Sequence, residues 1–196
     1  SSDTICIAPP RFSRWLACSF LRKVVTLTGI DNPDYKFNRN GAILVAPPDS
    51  NDYQLTGLDE DTGWDEYDHG AMLEAYDPRF GRKSNLAAEL LKTGQDPKRA
   101  FQELFSKAAA RWVGGESDHD YDESFSEFCA RVDGALRRLA ARLDKAQTAL
   151  VFTSGGAISA VARILLNLPA EGMLPLSYVI ANASVIMCAA SEISAS

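Results

Sequence analysis

Two hydrophobic rhythms run through this chain. Phe101, Leu104, Phe105, Ala108 and Trp112 recur at three- and four-residue intervals, as do Phe125, Phe128, Cys129, Val132, Leu136 and Leu139. That spacing lines apolar side chains along one face of a helix. The first of these helices should stop at Gly114-Gly115, and a shorter one over Leu86–Lys92 should close at Gly94. Phe12, Trp15, Leu16 and Phe20 place an amphipathic helix over Phe12–Val25, ended by Gly29 and Asp31-Asn32-Pro33. The other rhythm is short runs rich in β-branched and apolar residues. Thr4–Ile7, Ala42–Val45, Ala149–Thr153, Tyr178–Ala181 and Ser184–Ala189 are predicted strands, the last two split at Asn182. Residues 46 to 63 are acidic and turn-rich and read as a loop beginning at Pro47-Pro48. Alternation of this kind predicts one layered α/β domain spanning residues 1–196.

The richest junction is Val151-Phe152-Thr153-Ser154-Gly155-Gly156-Ala157-Ile158. A strand ends in a small polar residue, two glycines follow, and an apolar helix over Ile158–Leu166 begins, to be broken at Leu168-Pro169. Unpaired N–H groups and the positive dipole end at such a helix start favour an anion. Glycine there lets the chain turn sharply and a ligand come close. A plain strand-to-helix turn in an α/β core would have the same sequence, so this junction needs support from elsewhere.

Composition narrows the classes. At 196 residues and 46% hydrophobic, the chain can build one sizeable core. A formal net charge of −6 argues against a nucleic-acid surface. No apolar run is long enough to span a bilayer, and no signal-peptide layout begins the chain, which starts Ser-Ser. Cys6, Cys18, Cys129 and Cys188 lie far apart without paired spacing, which favours buried free thiols over disulfides or zinc ligands. A cytoplasmic protein without metal or organic cofactor is expected. Asp59-Glu60-Asp61 lacks the alternating oxygen ligands and glycine of a calcium loop. Oligomeric state is not legible.

Several separated motifs stand in one order. Trp64-Asp65-Glu66-Tyr67-Asp68-His69 is followed by Arg111-Trp112-Val113-Gly114-Gly115 and by Glu123-Ser124 with Phe128, Arg131 and Val132. Thr153-Ser154-Gly155-Gly156-Ala157-Ile158, Leu166-Asn167-Leu168-Pro169 and Asn182-Ala183-Ser184 complete the series. The order and spacing resemble the histidine phosphatase superfamily, whose fold is phosphoglycerate-mutase-like, and within it a bacterial branch with a Glu-Tyr-Asp-His motif. The resemblance covers roughly residues 64 to 188. It implies a three-layer α/β fold, a mostly parallel sheet flanked by helices with a phosphate pocket at the strand carboxyl ends. It also implies phosphomonoester hydrolysis on a small phosphorylated substrate. In that chemistry a histidine from an Arg-His-Gly motif attacks phosphorus, and water later hydrolyses the phosphohistidine. Arginines and a second histidine hold the non-bridging oxygens, and a carboxylic acid protonates the leaving oxygen.

By motif, Glu66 stands at the proton-donor position, where Asp65 and Asp68 would raise its pKa if they pointed inward. Ser154, Gly155 and Gly156 stand at the phosphate turn, with Ser154 where most members carry the second histidine. Arg11 or Arg14 would be the phosphate arginine, though solvent-facing helix arginines fit that stretch as well. No Arg-His-Gly occurs in the sequence, and its two histidines are His69 and His119. His69 belongs to the Glu-Tyr-Asp-His run, and His119 to the acidic stretch Glu116-Ser117-Asp118-His119-Asp120. Arg131 reads as a helix-anchoring ion pair. Residues 1–63 are then either a divergent replacement or the remainder of a shortened amino-terminal part. Two functions stay open: a phosphomonoesterase that needs a histidine not found here, or a non-catalytic relative binding an anion or a partner protein.

Overall fold

The molecule is described here by a computed structural model covering residues 4–8, 42–46, 57–143, 148–180, 186–189 and 193. Five strands form one sheet: β1 (Thr4–Ala8), β2 (Ala42–Ala46), β3 (Gly57–Glu60), β4 (Thr148–Phe152) and β5 (Ile186–Ala189), in the order β3-β2-β4-β1-β5. β4 runs parallel to β1, in register from Thr4 opposite Thr148 to Ala8 opposite Phe152. The remaining pairs, β2 with β4, β2 with β3 and β1 with β5, are antiparallel. The α/β class is as expected, but the sheet is mixed and not mostly parallel. A short link between successive strands, such as that from β2 to β3, can close an antiparallel pair, whereas parallel neighbours need a long crossover. Here β1 and β4 are separated in the chain by β2, β3 and, among the described residues, four α-helices.

β3 falls within the stretch expected to be loop. Asp59 and Glu60 suggested a solvated turn, yet β3 lies at the sheet edge, where charged residues are well suited. In β4, Ala149 and Val151 are buried and so is Phe152, whose side chain points to the opposite face. Both faces of this central strand are therefore covered.

Six α-helices lie among the described residues, α1 (His69–Tyr76), α2 (Leu86–Leu91), α3 (Pro97–Gly114), α4 (Phe125–Arg142), α5 (Gly155–Leu165) and α6 (Met173–Val179), of which α2 to α5 follow the expected rhythm. Asp96 caps α3, with Pro97 in its first turn, and Gly115 at φ 74° ends it. Ser124 and Glu127 form a reciprocal capping box at the start of α4. α5 starts on the glycines themselves, three residues earlier than the periodicity suggests. α6 corrects the predicted strand at Tyr178–Ala181. Its Pro175 lies in the first helical turn, where no intrahelical amide bond is lost, so the proline does not exclude a helix.

The core gathers Trp64, Trp112, Phe128, Leu136, Ile158 and Met173 from five different segments. Cys129 is a buried free thiol within it. No helix among the described residues is long and apolar enough to cross a membrane, and none of their His, Cys, Asp and Glu side chains form a metal-holding group. The predicted helix at Phe12–Val25, Arg11, Arg14 and Asn182-Ala183-Ser184 lie outside the described residues.

Candidate functional site

At the carboxyl end of β4 the chain passes through Thr153 and Ser154 into α5. Ser154 is the extended N-cap residue, but its hydroxyl caps no amide and, among the described residues, has no hydrogen-bond partner although the oxygen is buried. The cap comes from another part of the chain. The Gly156 N–H donates to Glu66 Oε2 at 2.9 Å, while Glu66 Oε1 accepts the Tyr67 N–H at 3.2 Å. A carboxylate at this point complements the dipole and the unpaired amides of the first turn.

The close approach explains Gly156. A Cβ there would stand 1.9 Å from Glu66 Oε1 and 2.9 Å from Tyr67 Cε1. At Gly155 a Cβ would meet nothing within 4 Å among the described residues.

Glu66 is delivered by a short loop tied on both sides. Asp61 caps its 3-10 turn (Thr62–Trp64) by accepting the Gly63 N–H at 2.8 Å, and Arg138 grips the Asp61 carboxylate at 2.9 and 3.0 Å. Arg131, on α4, donates from Nη1 to the carbonyls of Thr62, Gly63 and Asp65 at 3.1, 3.2 and 2.9 Å. Its Nε and Nη2 hold the Glu123 carboxylate at 2.6 and 2.8 Å. The remaining loop carbonyl, that of Trp64, accepts the hydroxyl of buried Thr153. The expected ion pair of Arg131 is thus present, and its grip on the loop is an addition that side-chain spacing does not reveal. Thr153 was legible only as a polar residue closing an apolar strand.

Tyr67 seals the inner side. Its ring packs against Trp112 and Phe128 with centroids 4.5 and 5.4 Å apart. Burial, then the nearby charges of Glu66 and Tyr178, push its hydroxyl pKa above the ordinary tyrosine value. Burial also raises the Asp65 carboxyl, opposed by Arg131. Asp68 does not crowd Glu66 as expected: its oxygens accept from the Ala71 N–H at 2.9 Å and from Arg82 at 3.2 Å.

The two histidines occupy different places. His69 opens α1 as an exposed ring, edge-on to Tyr67 at 4.4 Å and tilted on Phe105 at 5.7 Å. His119 is exposed and lies 3.3 Å from Asp120, whose other oxygen pairs with Arg111. A cleft of about 60 Å³ lies beside Tyr67, Asp68, Met72, Trp112, Tyr121 and Asp122; neither Glu66 nor Ser154 lines it. Glu66 and the Ser154–Gly156 turn are brought together, and Arg11 and Arg14 fall outside the described residues.

The sequence pattern of the histidine phosphatase superfamily (branch 1) matches residues 91–192, slightly more than half of the chain. The match takes in α3, α4, β4, the Ser154–Gly156 turn, α5 and β5, and starts after Glu66. No curated protein and no solved structure matches the chain. With the family's pattern running from α2 through the glycine turn to β5, the chain belongs to the histidine phosphatase superfamily.

Proposed function

We propose that the domain binds the phosphate group of a small phosphorylated molecule, or inorganic phosphate, at the Ser154–Gly156 turn. Glu66 is the proton donor to the leaving oxygen of a phosphomonoester. The supporting observation is the 2.9 Å hydrogen bond from Gly156 to Glu66, which puts a carboxyl group and an anion-attracting helix end at one point. A Ser154 hydroxyl without a partner, and a Gly155 without a neighbour at its Cβ position, among the described residues suit an incoming phosphate oxygen. The Gly156 amide joins them when Glu66 yields it. This reading takes the fold as three-layer, with helices on both faces of the sheet, in keeping with the two covered faces of β4. A cytoplasmic setting goes with it.

Hydrolysis by the family route would need a histidine nitrogen in line with phosphorus. The bond to the leaving oxygen breaks as that oxygen takes a proton from Glu66, and water then cleaves the phosphohistidine. His69 faces Tyr67 and Phe105, and His119 faces Asp120. Their placement favours the second reading, a non-catalytic relative that holds an anion or a partner protein without turning it over. The reading is tested with p-nitrophenyl phosphate and with inorganic phosphate on the wild-type protein, Glu66→Gln and Ser154→Ala. Phosphate binding weakened by Ser154→Ala, with turnover absent throughout, supports the non-catalytic reading. Turnover lost in Glu66→Gln supports the phosphomonoesterase. A wild-type protein that neither binds phosphate nor hydrolyses the ester overturns the phosphate site in either reading.

A further inference from the structure

We propose that Arg131 is a positioning residue for Glu66, acting through the main chain of the loop that carries it; the functional importance of that position rests on the reading of Glu66 above. Each of the three nitrogens of its guanidinium has a partner. Glu123 takes Nε and Nη2 at 2.6 and 2.8 Å, a fork-on-fork pair that fixes the plane of the group. The fixed plane aims Nη1 at the loop, where it meets three carbonyls of the four residues preceding Glu66. The fourth carbonyl, of Trp64, is held from the opposite side by Thr153, the residue just before Ser154. One side of the loop is thereby tied to α4 and the other to the turn, leaving Glu66 little choice but the Gly156 amide. The Arg131 guanidinium also lies over the Phe128 ring at 5.2 Å, and Phe128 in turn packs on Tyr67, the residue after Glu66.

An ion pair serving only to hold α4 to the 121–124 segment would leave the loop carbonyls to other donors. Lysine cannot reproduce the arrangement, since a single ammonium lacks the planar fork that serves Glu123 and the carbonyls together. The role is therefore one of orientation, with no contact between Arg131 and a ligand.

The test follows the Gly156 amide resonance of isotopically labelled protein at one fixed pH. Its response is the displacement caused by Glu66→Gln, which replaces the carboxyl group it binds with an amide. In Arg131→Gln and Arg131→Lys the same substitution should displace it at most half as far, because the carboxyl has lost its place. The Arg99 amide, which donates to Asp96 at 3.0 Å on α3, should keep its position in every variant and so reports a retained fold. A full Gly156 response in either folded Arg131 variant overturns the proposal. Thr153→Val, which removes only the hydroxyl on Trp64, should give a smaller loss and keeps the idea testable if both Arg131 variants fail to fold. Because the readout needs no ligand, a protein that never binds phosphate would sink the proposed function and leave this result standing.

Discussion

Glu66 and Gly156 lie ninety positions apart in the chain, yet the carboxylate of one accepts the amide hydrogen of the other at 2.9 Å. The proposed proton donor and the proposed phosphate turn are therefore in direct contact. The first turn of α5 is already occupied by a carboxyl group of the protein's own, and under the proposed function a phosphate would compete with Glu66 for the Gly156 amide.

The contact makes two adjacent glycines unequal. Gly156→Ala should destabilise the fold by about 1–3 kcal/mol, because the new methyl meets Glu66 and Tyr67. Removing the obstructing carboxyl as well, in Gly156→Ala/Glu66→Ala, should recover part of that loss and give a clear coupling energy. Gly155→Ala should be neutral or raise stability by up to about 1 kcal/mol, as alanine favours a helix and its methyl meets nothing within 4 Å among the described residues. Urea denaturation of the four proteins beside wild type, with Glu66→Ala alone as the fourth, measures all three effects.

Tyr67 should reveal itself in alkali. Burial keeps its proton on in the folded state, so its folded pKa lies above the unfolded one. The corresponding stabilisation is complete below about pH 10 and is lost as pH rises beyond it, because the unfolded chain ionises first. Tyr67→Phe removes this loss. Denaturation midpoints of the two proteins should therefore converge, or cross, as the pH is raised from neutrality past that value.

The capping box of α4 offers an independent check on the fold. Ser124 is buried and its hydroxyl accepts the Glu127 N–H at 3.2 Å, while Glu127 returns a bond to the Ser124 N–H at 2.8 Å. Ser124→Ala should cost about 1 kcal/mol in thermal or urea unfolding without altering the Gly156 amide. The same exchange holds the Glu127 carboxyl below its usual range, so this cap should weaken only as the pH falls through that lowered value.

What the sequence reveals depends on whether a signal is local. Phe101 to Trp112 and Phe125 to Leu139 mark α3 and α4 because a helix records its buried face every three or four residues. Gly94 and Gly115 take the positive φ that their helix ends call for. The strand direction was harder, since each pairing in the sheet depends on a partner far along the chain. Tyr178 and Val179 have strand-like side chains but sit exposed at the end of α6, a helix beside α5 whose buried residue is Met173. In the site, Glu66 and the Ser154–Gly156 turn were each visible as motifs. Their contact was not, and neither was the use of Thr153 and Arg131, because both act on main-chain carbonyls that every residue possesses.

That last property bears on how freely this part of the protein can drift. Arg131 recognises Thr62, Gly63 and Asp65 by atoms common to all amino acids, so the identities of Thr62 and Asp65 are not written into the grip. Gly63 is the exception, hemmed in by Ala135, Arg138 and Asp61. Over generations, the residues leading to Glu66 can change their surface character while the carboxylate they present stays where it is.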